Sequence, residues 1–403
     1  MDFGFSPDHE VFKQEVKQFI AENVTPEVEY EIDHGGEGGG RGPLVAALFK
    51  KLAGKGWLAI SWPKILGGQE GDRMKEYIVE EEFQRIGLGV GGGGGSGGPA
   101  ILVAGSPEQK EYYLPRIVSG EITFCLGFSE PSGGADLASL QCRAVRDGDD
   151  YVINGQKIFT SGAHTATHIY MMARTDPDAP KHKGISIFLV PMDTPGITVR
   201  PLWTLQTEPT APPRTTYGVS RTNETYFEDV RVPRSCLLGK ENEGWYIGAA
   251  GLNLDRVGAW RYLISVQRNE DIINWTKDNH FNGYSPAEDP AIRDRLAELW
   301  IEAQVCRLMT MRSMSIVERG GDFAYEGSAE KVWAPEHGMR ITDTVAQILG
   351  PYAQLMNGSA EAIEQGIFAH NVLGSWISAV NHGSVQIMRD QVARRGLGLP
   401  RAT

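Results

Sequence analysis

Three things are missing from this 403-residue chain, and each absence removes a class of function. No cluster of Lys or Arg stands in it and the formal charge is −12, so a nucleic-acid surface is not expected. No apolar run approaches the roughly 18 residues of a membrane span. Cysteine is scarce: Cys125, Cys142, Cys236 and Cys306 are far apart and form no CxxC pair. That pattern speaks for a reduced, cytoplasmic setting and against a zinc site. The N-terminus is an acidic amphipathic helix with Asp8, Glu10 and Glu15, which fits neither a signal nor a transit peptide. What remains is an ordinary globular composition, 41% apolar and 22% charged. At this length two or three packed domains are expected.

Helical patterns flank a β-rich middle. Ser6-Pro7 reads as an N-cap with proline at the first helical position, and Phe12, Val16, Phe19 and Ile20 give one buried face. Further helices are expected around Leu44–Lys55 and Glu76–Arg85. After Gly239 they are expected over Gly244–Asp278, Ala291–Arg319, Ser328–Leu349, Glu361–Ala379 and Ser384–Arg395, with short joints that suggest an antiparallel bundle. From Ile122 the period changes to two. Strands are expected at Ile122–Ser129, Tyr151–Ile153, His168–Ala173, Gly184–Pro191, Ile197–Leu202 and Thr225–Val232. No crossover helix separates them, so the sheet should be antiparallel. Asp147-Gly148 and Asn154-Gly155 read as tight turns on either side of the second of these strands.

Glycine is in excess, 49 residues, and it is concentrated. His34–Gly42 follows no strand and is closed by no Gly-Lys-Ser/Thr, so it reads as a surface loop rather than a phosphate cradle. In Gly89–Gly98 only Val90 and Ser96 are not glycine. Such a run is a poor helix, at about 1 kcal/mol per Gly relative to Ala. It is either a disordered loop or a wall stripped of side chains to leave room for something bulky.

The expected ligand edge is the turn Glu130-Pro131-Ser132-Gly133-Gly134-Ala135-Asp136, where the first strand runs into Pro and Gly. His164 and His168 straddle a loop and a strand without an acidic neighbour, so no metal site is expected there. On the first C-terminal helix, Asp255 shares a face with Leu252, Ala259, Tyr262 and Val266. A carboxylate on so apolar a face must be capping, ion-paired or held for chemistry. His382, just ahead of Gly383-Ser384, taken alone reads as a structural histidine.

The whole layout resembles the acyl-CoA dehydrogenase family. The resemblance runs through Gly56-Trp57, Gly67-Gly68, Ser129-Glu130-Pro131 to Asp136, Asp147-Gly148, Asn154-Gly155-x-Lys157 and Phe227-Glu228-Asp229-Val230-x-Val232-Pro233. It continues through Leu238-Gly239, Asp255-Arg256, Gln347-Ile348-Leu349-Gly350 and Gly398-Leu399-Pro400-Arg401. The fold it implies is α+β: an N-terminal helical domain (1–120), a middle antiparallel β domain (121–235) and a C-terminal four-helix bundle (236–403). It implies FAD as cofactor. Phe128 and Ser129 then stand at the pyrimidine edge, Phe159 packs on the isoalloxazine, and Ser161 lies near N5. Gln347, Gly350, Ser384 and Gln386 match positions on the adenosine half, partly across a subunit boundary.

Three departures from the family pattern stand out. His382 occupies the position where most members carry the catalytic Glu. A subset similar to isovaleryl-CoA and bacterial steroid-side-chain enzymes carries that Glu on the first C-terminal helix before an Arg, and Asp255-Arg256 stands there. Asn279 replaces an Arg that reaches the neighbour's FAD, and Ala135 lacks the usual hydroxyl. The implied reaction is α,β-dehydrogenation of an acyl-CoA to a trans-2-enoyl-CoA, with Asp255 as base and His382 as its rival. Substrate contacts are expected from Gly94, Gly95, Arg256 and His382, with the glycine run leaving space for a bulky or cyclic acyl group. The resemblance also implies a homotetramer or heterotetramer and an electron-transfer flavoprotein as acceptor. The departures motivate an alternative, a catalytically silent partner subunit poor in FAD.

Overall fold

The computed structural model describes residues 5–34, 42–90, 97–204, 222–254, 258–280, 283, 285–321 and 324–400. The fold is α+β. The first helices are α1 (Pro7–Asn23), α2 (Pro26–His34), α3 (Pro43–Gly54), α4 (Arg73–Arg85), α5 (Gly97–Ala104) and α6 (Pro107–Val118). Ser6 caps α1 as its sequence suggests, its hydroxyl accepting the His9 N–H at 3.2 Å. Val16 and Phe19 enter a core shared with α3 and α4.

The middle of the chain forms one sheet from β1 (Phe124–Gly127), β2 (Arg143–Asp147), β3 (Asp150–Lys157), β4 (His168–Arg174), β5 (Ile185–Pro191), β6 (Ile197–Pro201), β7 (Asn223–Pro233) and β8 (Leu237–Leu238). Its order is β6-β7-β3-β2-β4-β5-β8, with β1 on β4. Most pairs are antiparallel, but β1 lies parallel to β4, as does β2 at one position, which corrects the purely antiparallel expectation. The reason is topological. The β2–β3 hairpin intervenes between β1 and β4, so the chain returns to β1 in its original direction. All but the last residue of β4 and of β5 is buried, because both faces of these strands are covered.

Asp147-Gly148 turns the β2–β3 hairpin, with Gly148 at φ 65°. Asn154-Gly155 is not a turn; it lies inside β3, opposite a bulge in β7. Between the pairs Ile153–Val230 and Gly155–Phe227, β7 spends one residue more than β3. Asp229 takes the left-handed conformation there (φ 48°), and Asn154 holds it with reciprocal bonds of 3.0 and 2.9 Å. The bulge shifts the parity of β7, so that Asn223, Thr225 and Phe227 before it and Val230 and Val232 after it all face inward.

The C-terminal helices are α7 (Gly244–Leu254), α8 (Ala259–Asp278), α9 (Pro290–Glu318), α10 (Glu326–Leu349), α11 (Ile367–Gly374), α12 (Ile377–Val380) and α13 (Val385–Gln391). The long helix expected from Gly244 to Asp278 is two, because Gly258 is extended (φ 163°, ψ 155°) at the start of α8. The helix expected over Glu361–Ala379 is also broken, with left-handed backbone at Glu364, Gln365 and Gly366. The long members α8, α9 and α10 pack together, and α8 and α9 also pack against α4, joining the two helical ends of the chain through one core.

Candidate functional site

The candidate edge is where β1, β3 and β7 end together. Glu130 lies beneath it, buried and facing inward. Its carboxylate accepts the N–H groups of Gln141 (2.5 Å) and Cys142 (2.9 Å) and pairs with the buried Lys157 ammonium at 2.8 Å. Lys157 also donates to the Phe128 carbonyl at 3.2 Å. The turn that follows is closed by mutual Glu130–Gly133 backbone bonds of 3.0 Å. The turn's glutamate thus serves the scaffold, and Lys157 is the partner that the sequence reading left without a role. Ala135 is exposed in this turn, next to Asp136, whose carboxylate meets Lys181.

Above the clamp the surface changes character. Phe128 is buried against Tyr170, with ring centroids 5.3 Å apart. The Ser129 carbonyl accepts the Ile158 N–H at 3.0 Å, so the two chain segments carrying Phe128-Ser129 and Phe159 run side by side. Phe159 is 60% exposed and held at φ 55°, a conformation rare for an aromatic residue. Ser161 and Thr222 share a hydrogen bond of 3.1 Å at the surface. Thr160 Oγ1 and Thr225 Oγ1 are buried without a hydrogen-bond partner among the described residues. An uncovered ring flanked by hydroxyls, with two more hydroxyls unsatisfied behind it, fits a planar group that is apolar on its face and polar at its rim.

A cavity of about 1090 Å³ opens beside this edge, lined by His164, Thr167, Asp193, Trp203 and Asn223 among others. It adjoins the predicted cluster rather than enclosing it. Asn223 joins the two, donating to the Thr160 carbonyl at 3.2 Å and meeting His164 Nδ1 at 3.1 Å. His168 is packed between the rings of Tyr113 and Phe124, and burial lowers its pKa. Burial pushes the thiols of Cys125 up to about 12 and of Cys142 and Cys236 up to about 11, so none of these is a poised nucleophile.

The C-terminal positions fall into separate places. Gln347 is exposed near the end of α10 and Gly350 follows it at φ 55°. Ser384 caps α13, accepting the Ile387 N–H at 3.4 Å, and Gln386 is exposed beside it. The turn before α13 is bonded to α10 at Lys331. Sixteen residues separate Lys331 from Gln347, about 24 Å along a helix. One chain therefore does not bring Gln347 and Gly350 together with Ser384 and Gln386. Asn279 is spent on its own helix end, its backbone and side-chain amides both donating to the Trp275 carbonyl at 3.0 Å. His382 is exposed and left-handed, at φ 48°.

Asp255, Arg256, Gly94 and Gly95 lie outside the described residues. The helical face expected to run from Leu252 to Val266 is not one surface, because Gly258 breaks the helix ahead of α8. Tyr262, expected on that face, is buried elsewhere with its hydroxyl on Glu81 at 2.8 Å. Glu81 also meets Tyr77, Arg307 (3.2 Å) and Lys13 (3.6 Å), a network tying α1, α4, α8 and α9 that no local sequence signal announced. Of the glycine run, Gly97 and Gly98 are helical after all, in the first turn of α5. A Cβ on Gly97 would stand 2.8 Å from the Phe124 ring, so close packing compensates there for weak helix propensity.

Comparison with known proteins gives one consistent answer. The chain is 32% identical to the acyl-CoA dehydrogenase FadE29 of Mycobacterium tuberculosis, over all of this chain and 99% of that one. It is 32% identical to FadE26 of the same organism, over the full length of both. Among solved structures, a Tcur3481-Tcur3483 steroid ACAD superposes with a TM-score of 0.83 at 34% identity, covering both chains completely. The ChsE4-ChsE5 complex from Mycobacterium tuberculosis superposes at 0.82 and 29% identity, again over both full chains. The N-terminal, middle and C-terminal domain models of acyl-CoA dehydrogenase match residues 6–121, 125–230 and 242–397 in order, and the chain belongs to the acyl-CoA dehydrogenase family.

Proposed function

We propose that this chain oxidises a bulky, ring-bearing acyl-CoA thioester to its trans-2-enoyl-CoA, with Asp255 as the base for the α proton. The reaction class is that of the family, FAD-dependent α,β-dehydrogenation. The observation that carries the reading is the open sheet edge, where Phe159 and the hydroxyls of Ser161 and Thr222 stand over the Glu130–Lys157 clamp. Phe128 and Ser129 would hold one end of FAD, and Phe159 its ring face. Gln347 and Gly350 would serve a second cofactor, in a neighbouring subunit, because they lie so far from Ser384 and Gln386.

FAD, when bound, supplies the acceptor for the β hydride with its electron pair. Asp255 takes the α proton, and the electron pair left on the α carbon closes the new double bond. That proton is far too weakly acidic for a carboxylate unless the developing enolate is stabilised. The backbone N–H at His382 is assigned to the thioester oxygen, as in the family pattern. A closed apolar pocket would raise the Asp255 pKa toward the working pH.

The bulky acyl group is supported by the glycine-rich segment leading into α5 and by the likeness to a steroid ACAD of solved structure. An electron-transfer flavoprotein is the proposed acceptor, and the cytoplasm the proposed location. Among the described residues no helix is long and apolar enough to cross a membrane. Asp255→Asn is expected to lower kcat by about a thousandfold with FAD still bound. Full turnover in that variant, together with its loss in His382→Ala, overturns the assignment of the base. A preference for butyryl-CoA over a ring-bearing acyl-CoA overturns the substrate class.

The names of two solved relatives each join two chains, which favours a second reading in which this chain works in a heterotetramer. Uncovered apolar side chains in the C-terminal helical region, Ile301, Trp376 and Val380 among them, suit subunit contacts. Expressed alone, a self-sufficient homotetramer would be yellow and bleached by substrate. A colourless chain would favour the silent partner.

A further inference from the structure

Lys157 is wholly buried, and its ammonium bonds two acceptors, Glu130 Oε1 at 2.8 Å and the Phe128 carbonyl at 3.2 Å. Glu130 is held in turn by the N–H groups of Gln141 and Cys142. The ion pair is therefore a fixed dipole, with its positive end on Phe128. An ion pair so deeply buried is a costly way to hold a strand end in place, and a well-packed apolar pair could do the same. The Phe128 carbonyl and the Ser129 N–H belong to one peptide group. That group is trans and planar, so its N–H points away from the ammonium that its carbonyl meets. Among the described residues no acceptor takes the Ser129 N–H, and Ser129 is only half-buried. The groups next to it are all used: the Ser129 carbonyl accepts the Ile158 N–H, and the Glu130 N–H donates to Gly133, both at 3.0 Å. One donor is thus left over at the edge, and it is the one whose peptide a buried cation polarises.

We propose that Lys157 tunes the electron acceptor: by bonding the Phe128 carbonyl it strengthens the Ser129 N–H as a donor to the pyrimidine edge of FAD, which favours the reduced cofactor. This rests on the reading of the edge as the FAD site and adds to it a part for the clamp in the chemistry. Hydrogen bonds in series strengthen one another, and a charged donor at the head of the series is about twice as strong as a neutral one. The hydride that leaves the substrate β carbon carries two electrons and one proton, so its arrival adds one net negative charge to the isoalloxazine. In that ring system the charge resides mainly on the pyrimidine side, where a preorganised donor counts most. Lys157 touches neither FAD nor substrate; it is a positioning residue that acts through one peptide group.

The test compares wild type with the double variant Glu130→Gln/Lys157→Met, which removes both charges together and strands neither. Tyr262→Phe serves as a control weakened elsewhere, at the Glu81 network. All are assembled holoprotein carrying FAD labelled with carbon-13 at its pyrimidine carbonyls. Reduction of the double variant should be about tenfold less favourable, a fall of about 30 mV in the two-electron midpoint potential. In the same variant a labelled flavin carbonyl stretch should move to higher frequency, because its donor has weakened. Tyr262→Phe should move neither quantity. Glu130→Gln alone leaves the ammonium to the Phe128 carbonyl and should move both the opposite way. An unchanged potential and stretch in the FAD-bound double variant overturn the proposal, as does an equal fall in Tyr262→Phe. If the double variant does not hold FAD, Glu130→Gln carries the test, and a potential equal to or below that of wild type overturns it. Wild-type protein that binds no FAD would instead overturn the underlying reading of the edge.

Discussion

Glu130 and Glu81 are both carboxylates shut away from water, 6% and 0% exposed, yet they are used in opposite ways. Glu130 gathers nearby main chain: two backbone N–H groups and a lysine, all within 27 residues of it. Glu81 gathers distant side chains, Tyr262 and Arg307, from 181 and 226 residues away. Around Glu81 the apolar cores of the N- and C-terminal helices close over the network. Above Glu130 the scaffold stops short, leaving Phe159 uncovered and two hydroxyls unsatisfied. The same residue type builds a joint in one place and underlies the candidate site in the other; Glu81 Oε2 also lacks a hydrogen bond among the described residues, so what separates the two places is whether apolar side chains are covered.

Removing one partner from each carboxylate sharpens this contrast. Lys157→Met strands a buried anion beneath the sheet edge and should cost about 3–5 kcal/mol in urea unfolding, with loss of FAD retention as well. A cost below about 1 kcal/mol would mean that Glu130 is not held as an ion. Tyr262→Phe removes one of several donors to Glu81 and should cost less, about 1–3 kcal/mol, while FAD content stays normal. If that variant loses flavin while retaining its stability, the joint and the site are not separate devices.

Acid should reach the joint through Glu81. Burial raises its pKa, but the Tyr262 hydroxyl and the charges of Arg307, Lys13 and Arg85 more than offset this, leaving it below the ordinary 4.5. The unfolded chain therefore binds the proton first. The stability contributed by Glu81 is complete above pH 4.5 and is lost as pH falls from there through the lower folded value. Thermal melts of Glu81→Gln should show a shallower acid limb than wild type in that window. The smallest effect belongs to the exposed pair Lys181–Asp136 beside the turn, where Lys181→Ala should leave the melting temperature unchanged within error.

Much of the fold was legible along the chain because it is written in short-range patterns. The Ser6-Pro7 cap, the change of period at Ile122 and the Asp147-Gly148 hairpin each depend on residues a few positions apart. Asn154-Gly155 was misread because a bulge is a property of two strands, and its extra residue, Asp229, sits on the other one. The helix through Asp255 was drawn too long because apolar spacing continues across Gly258, where the backbone does not. The residues assigned to the site come together in the fold where they sit in contiguous motifs. Phe128-Ser129 and Phe159 to Ser161 do, and the fold sets them side by side. Lys157 stood inside a recognised motif with no visible partner.

The sequence by itself determined which stretches favour helix and which strand, much of their apolar patterning, and the family to which their order belongs. Those properties arise from backbone conformation and side-chain period, which act over a few residues. The tertiary structure alone decided that Lys157 and Lys331 are buried, that β1 runs parallel to β4, and that Glu81 joins the two ends of the chain. A charged side chain is buried only where distant parts of the chain bring the oxygens and donors that replace its water, and no local pattern specifies their arrival.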